Sequence, residues 1–383
     1  MAPRTRFDEY QQHLRTKQWT WDDVVPFYEG RGTEQSIVPL HELDHLDVYE
    51  RTYGSRFGAH GIGRLREVAL SRITDAENRI YDERLPYAAA PGLLEAHGVG
   101  SRGLGRIKDV SLCREQQKAY AGVLEREEVT VHWLDWGEEP ISAYGPMHAM
   151  WAAGEVMVVA GGAIIPKRGR DPFSFGRGEW LSRWLFWELN IPTLLTVAGK
   201  GIAEVGTLVW IADDVFVSGR SIAYNEEGIN QVLPVVERST RAPELGVLTV
   251  HCQGEHYFDP HTGEAAHVDN VVAPLDVDKV LCYTPGVDTP TLLWLKQHGY
   301  QVIAAEFEDH VRHKVCNLVI LEPGRVLMPA EAQGTIERVR RAGVEVIEVP
   351  YSGFHSAGGG LHTATLQILR ESGPTALSPA RPA

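Results

Sequence analysis

The sequence predicts an α/β fold in which five hairpin–helix–strand units close into a single ring. Three observations predict it. One pattern recurs from about residue 155 onward: two β-rich runs flank a short turn, an amphipathic helix follows, and another β-rich run completes the unit. The units repeat at a spacing of tens of residues, which marks architectures that close on themselves. The competing doubly wound sheet needs single parallel strands alternating with helices and a Gly-rich first turn, and the sequence shows neither.

The elements follow in order. The unit furthest upstream is the loosest, with strands over 65–70 and 129–134 and a helix over 114–124. The next has strands over 156–159 and 163–166 around Gly161-Gly162, a helix over 178–189 and a strand over 192–197. In the third, strands over 207–211 and 215–218 flank Asp213-Asp214, and a helix near 226–238 leads to a strand over 247–251. The fourth has strands over 271–274 and 280–283, a helix over 289–298 and a strand over 301–305. In the last, strands over 318–321 and 325–328 flank Pro323-Gly324, a helix covers 330–341 and a strand 344–349. Period-2 runs of β-branched residues between turn residues mark the strands, and apolar pairs such as Ile336 and Val339 mark the helices.

Composition narrows the function classes. A chain of 383 residues with 43% hydrophobic content can bury a large core. Its formal net charge of -14 argues against a nucleic-acid or anionic-membrane surface. No stretch approaches the roughly 20 apolar residues of a membrane span, and the N-terminus lacks the apolar core of a signal peptide. A soluble cytoplasmic protein is expected, acting on a small molecule, with self-association left open. The four cysteines, Cys113, Cys252, Cys282 and Cys316, show no CxxC spacing and read as buried apolar side chains.

Four landmarks sit in order on this repeat. They are the segment from Gly61 to Val68, the turn Gly219 to Ser221 with Asn225 to Gly228, the triplet His267-Val268-Asp269, and the run Gly358-Gly359-Gly360-Leu361-His362-Thr363. Together they resemble the guanidino-group-modifying enzymes: amidinotransferases, arginine deiminases and dimethylargininases. In that superfamily the corresponding features are an opening strand, a Gly…Arg-Thr-Asn…Gly turn, a His-x-Asp carrying the catalytic histidine, and a closing Gly-Gly-Gly-x-His-Cys whose Cys is the nucleophile. The resemblance implies the pentein fold, a pseudo-symmetric five-bladed α/β propeller in one closed domain with its active site on the central axis. It covers residues 61–370. Residues 1–60 then read as an N-terminal extension packed on the ring, and the Pro/Ser/Ala-rich 371–383 as a disordered tail.

The catalytic residues depart from that pattern. Thr363 stands in the Cys position and Ala223 in that of the Arg. Trp151-Ala152-Ala153-Gly154 replaces a Thr-Arg-Asp, and Glu204-Val205-Gly206-Thr207 a Glu-Gly-Gly-Asp. A guanidinium is a planar cation that calls for bidentate carboxylates, so losing both aspartates argues against arginine-like substrates. Glu155 and Glu204 lie beside the vacated positions, but a one-residue shift along a strand points a side chain to the other face. The resemblance makes His267 the acid–base group, Asp269 its orienter, and Thr363 either a nucleophile or a substrate contact. A hydroxyl needs a base at the moment of attack, unlike a thiolate. Trp151, Glu155, Glu204, Asn225, His148 and His355 are the substrate-binding candidates.

The chain has 16 histidines, and His148, His267, His355 and His362 lie at or beside these motifs. They are read as hydrogen-bonded histidines without a metal, because their spacing matches no ligand motif. The cluster from His251 to His261 falls in a Gly- and Pro-containing connection and reads as a solvated loop. No cofactor is expected. Two functions follow: a divergent transferase or hydrolase acting at a C–N or ester centre, or an inactive relative that binds a metabolite or protein. The intact His267-Val268-Asp269 favours the enzyme.

Overall fold

A computed structural model describes residues 45–53, 57–75, 107–135, 156–167, 176–219, 223–240, 244–247, 267–357 and 359–376. Among these residues the strands form five separate three-stranded sheets. The first contains β1 (Leu65–Ser71) and β2 (Thr130–Leu134), the second β3 (Met157–Val159), β4 (Gly162–Ile165) and β5 (Thr193–Thr196), and the third β6 (Leu208–Ala212), β7 (Val215–Gly219) and β8 (Glu244–Val247). The fourth contains β9 (Val272–Asp276), β10 (Lys279–Cys282) and β11 (Gln301–Ala304), and the fifth β12 (Val319–Glu322), β13 (Arg325–Pro329) and β14 (Glu345–Val349). In sheets two to five a hairpin gives an antiparallel pair, and the third strand returns parallel to the middle one. A parallel return needs a crossover, and the predicted helices supply it. No sheet closes on itself among the described residues.

The first sheet follows the same rule by another route. Its antiparallel strand is β15 (Leu366–Arg370), which pairs with β1 from Leu65↔Arg370 to Ala69↔Leu366. The sequence pattern had missed this strand. It has no helix or hairpin partner nearby in the chain, and its edge is satisfied only by a strand about three hundred residues upstream. β15 also packs against β3, β6 against β9, β9 against β12, and β12 against β1, and Met157, Val159 and Ile164 of the second sheet share a core cluster with Leu208 and Phe216 of the third, so sheets adjacent in sequence are adjacent in space. The stretch 57–60 bridges the first two: Ala59 N–H donates to the Val158 carbonyl at 3.1 Å, and Arg370 N–H to that of Gly58 at 2.8 Å.

The described helices are α1 (His45–Tyr53), α2 (Val110–Arg126), α3 (Arg177–Leu189), α4 (Glu226–Thr240), α5 (Thr289–Gln297), α6 (Phe307–His313) and α7 (Gln333–Arg341). Polar caps set several starts. Asp109 accepts from Leu112 N–H at 2.9 Å, Asp288 from Thr291 N–H at 3.0 Å, and Asn225 Oδ1 from Gly228 N–H at 2.9 Å. On α3, Leu181 and Leu185 are buried one turn apart with Trp180 and Trp184 packed beside them, whereas Trp187 is 36% exposed. The strand expected over 247–251 is found at Glu244–Val247, in register with Phe216 to Gly219.

The tail reading needs correction over 371–376. Gly373 N–H donates to Asp213 Oδ2 and Ala376 N–H to Asp214 Oδ1, each at 2.6 Å, while Asp213 N–H donates to the Pro374 carbonyl. The β6–β7 turn thus supplies the carboxylates that hold a Pro/Ser/Ala-rich segment, a contact composition cannot reveal. Residues 377–383, 251–261, and nearly all of 1–56 lie outside the described residues.

Ile368 of β15 is 2% exposed, and replacing it by Ala should cost about 2–5 kcal/mol in urea unfolding. Leu293→Ala, at a side chain 51% exposed, should change stability by less than about 0.5 kcal/mol.

Candidate functional site

Two short turns bring the first pair together. Glu204 is extended and precedes the 3₁₀ turn Val205–Thr207, which leads into β6; His267 is likewise extended before Val268–Asn270, which leads into β9. The turns pack on each other. His267 Nε2 donates to Glu204 Oε2 at 2.8 Å, and Glu204 is 1% exposed. A neutral imidazole that donates from Nε2 carries its lone pair on Nδ1. A Cβ on Gly206 would stand 2.6 Å from that Nδ1 and 3.0 Å from Asp269 Oδ1, so only glycine fits against the imidazole and the carboxylate at this position.

Asn317, fully buried just before β12, ties the second pair to the closing turn. Its Nδ2 donates to Asp269 Oδ2 at 2.9 Å. Its Oδ1 accepts from Gly360 N–H at 3.0 Å, Thr363 N–H at 2.9 Å and the Thr363 hydroxyl at 3.1 Å. Gly360 is required there, since a Cβ would lie 2.7 Å from Asn317. His362 Nδ1 completes the set by donating to Asp269 Oδ2 at 3.0 Å. Asp269 is 5% exposed, and its Oδ1 has no hydrogen-bond partner among the described residues.

These side chains share one placement: Glu204 precedes β6, His267 and Asp269 precede β9, Asn317 precedes β12, and His362 and Thr363 precede β15. A cavity of about 60 Å³ continues from Asp269 and His362 along β6, β9, β12 and β15 to Arg370. Burial pushes the Arg370 guanidinium down to about 9, against the opposing pull of nearby Asp213. It donates to the carbonyls of Gly63 and Ile320 at 2.7 Å each. Cys316 also lines the cavity, but burial first, with Cys282 and Asp269 adding to it, holds its thiol well above the usual range. Burial alone pushes Cys282 up to about 12. Both thiols stay protonated and cannot stand in for a nucleophilic cysteine.

The sequence-derived roles fare unequally. His267, Asp269, Glu204 and Thr363 are brought together, but with pairings other than those expected. Glu204, not Asp269, accepts from His267, because a 3₁₀ turn rather than a strand follows Glu204 and the face-alternation argument does not apply. Asp269 instead holds His362 and Asn317. No hydrogen bond joins His267 to Thr363 among the described residues. Asn225 is absent from the cluster: its amide accepts from Ile202 N–H and Gly228 N–H and donates to the Lys200 carbonyl, which fixes a loop and caps α4. Trp151, Glu155 and His148 lie outside the described residues, as does the side chain of His355. No group of three or more potential metal ligands occurs among the described residues. Sequence reasoning missed Asn317, which sits in no motif, and gave Gly206 no role.

No family model matches the chain. A 2-nitroimidazole nitrohydrolase from Mycobacterium sp. (strain JS330) is 32% identical to it over 362 residues, 93% of each protein. Among solved structures, the amidinotransferase SxtG from Microseira wollei superposes with a TM-score of 0.59 at 14% identity, over 84% of this chain and 98% of that one. DDAH from Pseudomonas aeruginosa, complexed with citrulline, gives 0.56 at 18% identity, over 79% and 99%. At these identities the structural likeness speaks for the fold.

Asn317→Ala would strand the buried Gly360 N–H and release Asp269. A loss of about 2–4 kcal/mol is expected in urea unfolding, several times a surface substitution.

Proposed function

Since the chain belongs to the family of the mycobacterial 2-nitroimidazole nitrohydrolase, within the pentein superfamily, we propose that it is a hydrolase of small, neutral nitroazoles. It is an enzyme of hydrolase and transferase ancestry. The observation that carries the substrate reading is the Glu204–His267 pair beside Asp269 in a chain this similar to a nitrohydrolase. An intact, buried pair of this kind also speaks against the inactive-relative alternative. In the finer architecture we propose, the five sheets are blades around one axis, with β6, β9, β12 and β15 along the cavity. The adjacency of consecutive sheets and the cavity's lining support this.

The chemistry follows from what the substrates share. The central carbon of a guanidine and C2 of a 2-nitroimidazole are both trigonal carbons flanked by nitrogens and bearing a group to be displaced. A neutral azole needs no carboxylate clamp, in keeping with the two lost aspartates. In the proposed reaction a water gives a proton to His267 Nδ1 as its oxygen bonds to C2. Glu204 holds the Nε2 proton and stabilises the imidazolium. The C2–nitro bond then breaks, nitrite leaves with the electron pair, and the ring becomes the 2-oxo product.

Thr363 is not the nucleophile in this scheme. Its hydroxyl donates to the Asn317 amide oxygen, which is no base, and so it serves the turn beneath the site. From sequence alone, Trp151, Glu155 and His148, which precede β3, are the candidates for the second sheet's share of the pocket, and His355 for a further contact.

Purified protein with 2-nitroimidazole should release nitrite equimolar with substrate loss, and arginine should yield neither citrulline nor ornithine. Efficient turnover of arginine would overturn the substrate class. His267→Ala and Glu204→Gln should each lower kcat/KM by about 10²–10⁴-fold. Gly206→Ala should lower it by at least about 10²-fold, because its Cβ would push the His267 ring from its place against Glu204. Thr363→Ala should stay within about tenfold of wild type; a loss beyond about 10³-fold, with a trapped ester in the wild type, would make Thr363 the nucleophile.

A further inference from the structure

We propose that His362 is a catalytic general acid, delivering a proton from Nε2 to the substrate's ring nitrogen while Asp269 holds its Nδ1. This inference rests on the nitroazole reading above. Attack at C2 drives the C2=N electron pair onto the ring nitrogen, and that charge needs a donor. His362 is placed to supply it: its Nδ1 is occupied by Asp269 Oδ2 at 3.0 Å, so its only other polar atom, Nε2, is left for a ligand. The ring is part-buried and lines the same cavity as Asp269. The backbone around it is fixed independently of the imidazole, with His362 N–H donating to the Asn317 carbonyl at 3.1 Å.

The site therefore contains two carboxylate–histidine pairs with opposite tasks. Glu204–His267 takes a proton from water; Asp269–His362 gives one to the ring. The balance closes in two steps. The water proton goes to His267 Nδ1, oxygen bonds to C2, and the ring nitrogen takes the proton of His362 Nε2. Then the C2–nitro bond breaks, nitrite departs with the electron pair, and the hydroxyl proton of the adduct returns to His362. His267 releases its proton to solvent, leaving nitrite, one proton and the 2-oxo ring as products. Asp269 orients His362 through Oδ2, which Asn317 Nδ2 holds in place in turn. The other titratable groups lining the cavity are Cys316 before β12 and Arg370 at the end of β15, while His267 and Asp269 both lie against Gly206.

The decisive variant is His362→Asn. The Asn amide nitrogen occupies the place of Nδ1, so the bond to Asp269 survives while Nε2 is removed. The full-length protein is assayed for nitrite release from 2-nitroimidazole across pH, alongside thermal unfolding. The wild type should show a bell-shaped kcat/KM profile, with its alkaline limb reporting protonated His362. His362→Asn should unfold at the wild-type temperature, lose at least about 10²-fold in kcat with KM changed by less than about threefold, and lose the alkaline limb. If His362→Asn does not fold, His362→Gln, which carries a distal donor that is not an acid, should give the same loss of the limb. A folded variant with wild-type kcat and an unchanged limb overturns the assignment. Absence of nitrite release from the wild type itself would instead overturn the nitroazole reading, so the two failures are distinguishable.

Discussion

The carboxamide of Asn317 is the joint on which the arrangement depends. It lies at the start of β12, yet its oxygen holds the turn that precedes β15 and its nitrogen holds Asp269 ahead of β9. Only a side chain that both donates and accepts can do this: an aspartate would repel Asp269, and a leucine would strand the Gly360 N–H. The same turn delivers β15 to β1, and with it the end of the chain to the beginning of the fold. Closing the first sheet and assembling the site are therefore one event. Neither can be loosened without the other.

That coupling explains what could be read from the sequence. The four sheets made from consecutive elements were legible, since each hairpin, helix and return strand carries its own period and turn residues. β15 was not, because its five residues gain meaning only beside a partner at the other end of the chain. His267 and Asp269 were legible as types within a motif, but their partners were not. Pairings depend on where backbone direction changes, and the 3₁₀ turns after Glu204 and His267 leave no periodic trace. Asn225 fails in the opposite sense: it sits in a motif, and its amide is used to cap a helix and hold a loop.

The far end of the cavity shows a different use of charge. Arg370, Asp213 and His60 are drawn together where 57–60, the β6–β7 turn and 371–376 meet. Burial lowers the arginine and the histidine, and raises the aspartate. Each shift favours the neutral form, so the cluster pays a desolvation cost that mutual attraction only partly offsets. Such a cluster is poor ballast for stability but a sharp selector of arrangement: misplacing any of the three segments leaves a buried charge without its counterpart. The end of the cavity opposite the histidines is thereby lined by Ala59, Gly61 and Arg370.

At the histidine end the logic is reversed, and it bears on why a threonine is tolerated in the closing turn. Covalent catalysis by cysteine serves a substrate whose leaving group is a strongly basic amine, since a covalent intermediate divides a difficult displacement into two easier ones. Nitrite is a far weaker base than an amine and can leave without that division. What the displacement does require is a base for water, a donor for the ring nitrogen and the exclusion of competing solvent. In the reaction proposed above, the Glu204–His267 pair would meet the first requirement and Asp269–His362 the second. The thiol would then have no task, and the position before β15 would have only to complete the turn. There a hydroxyl that donates to Asn317 is worth more than a nucleophile.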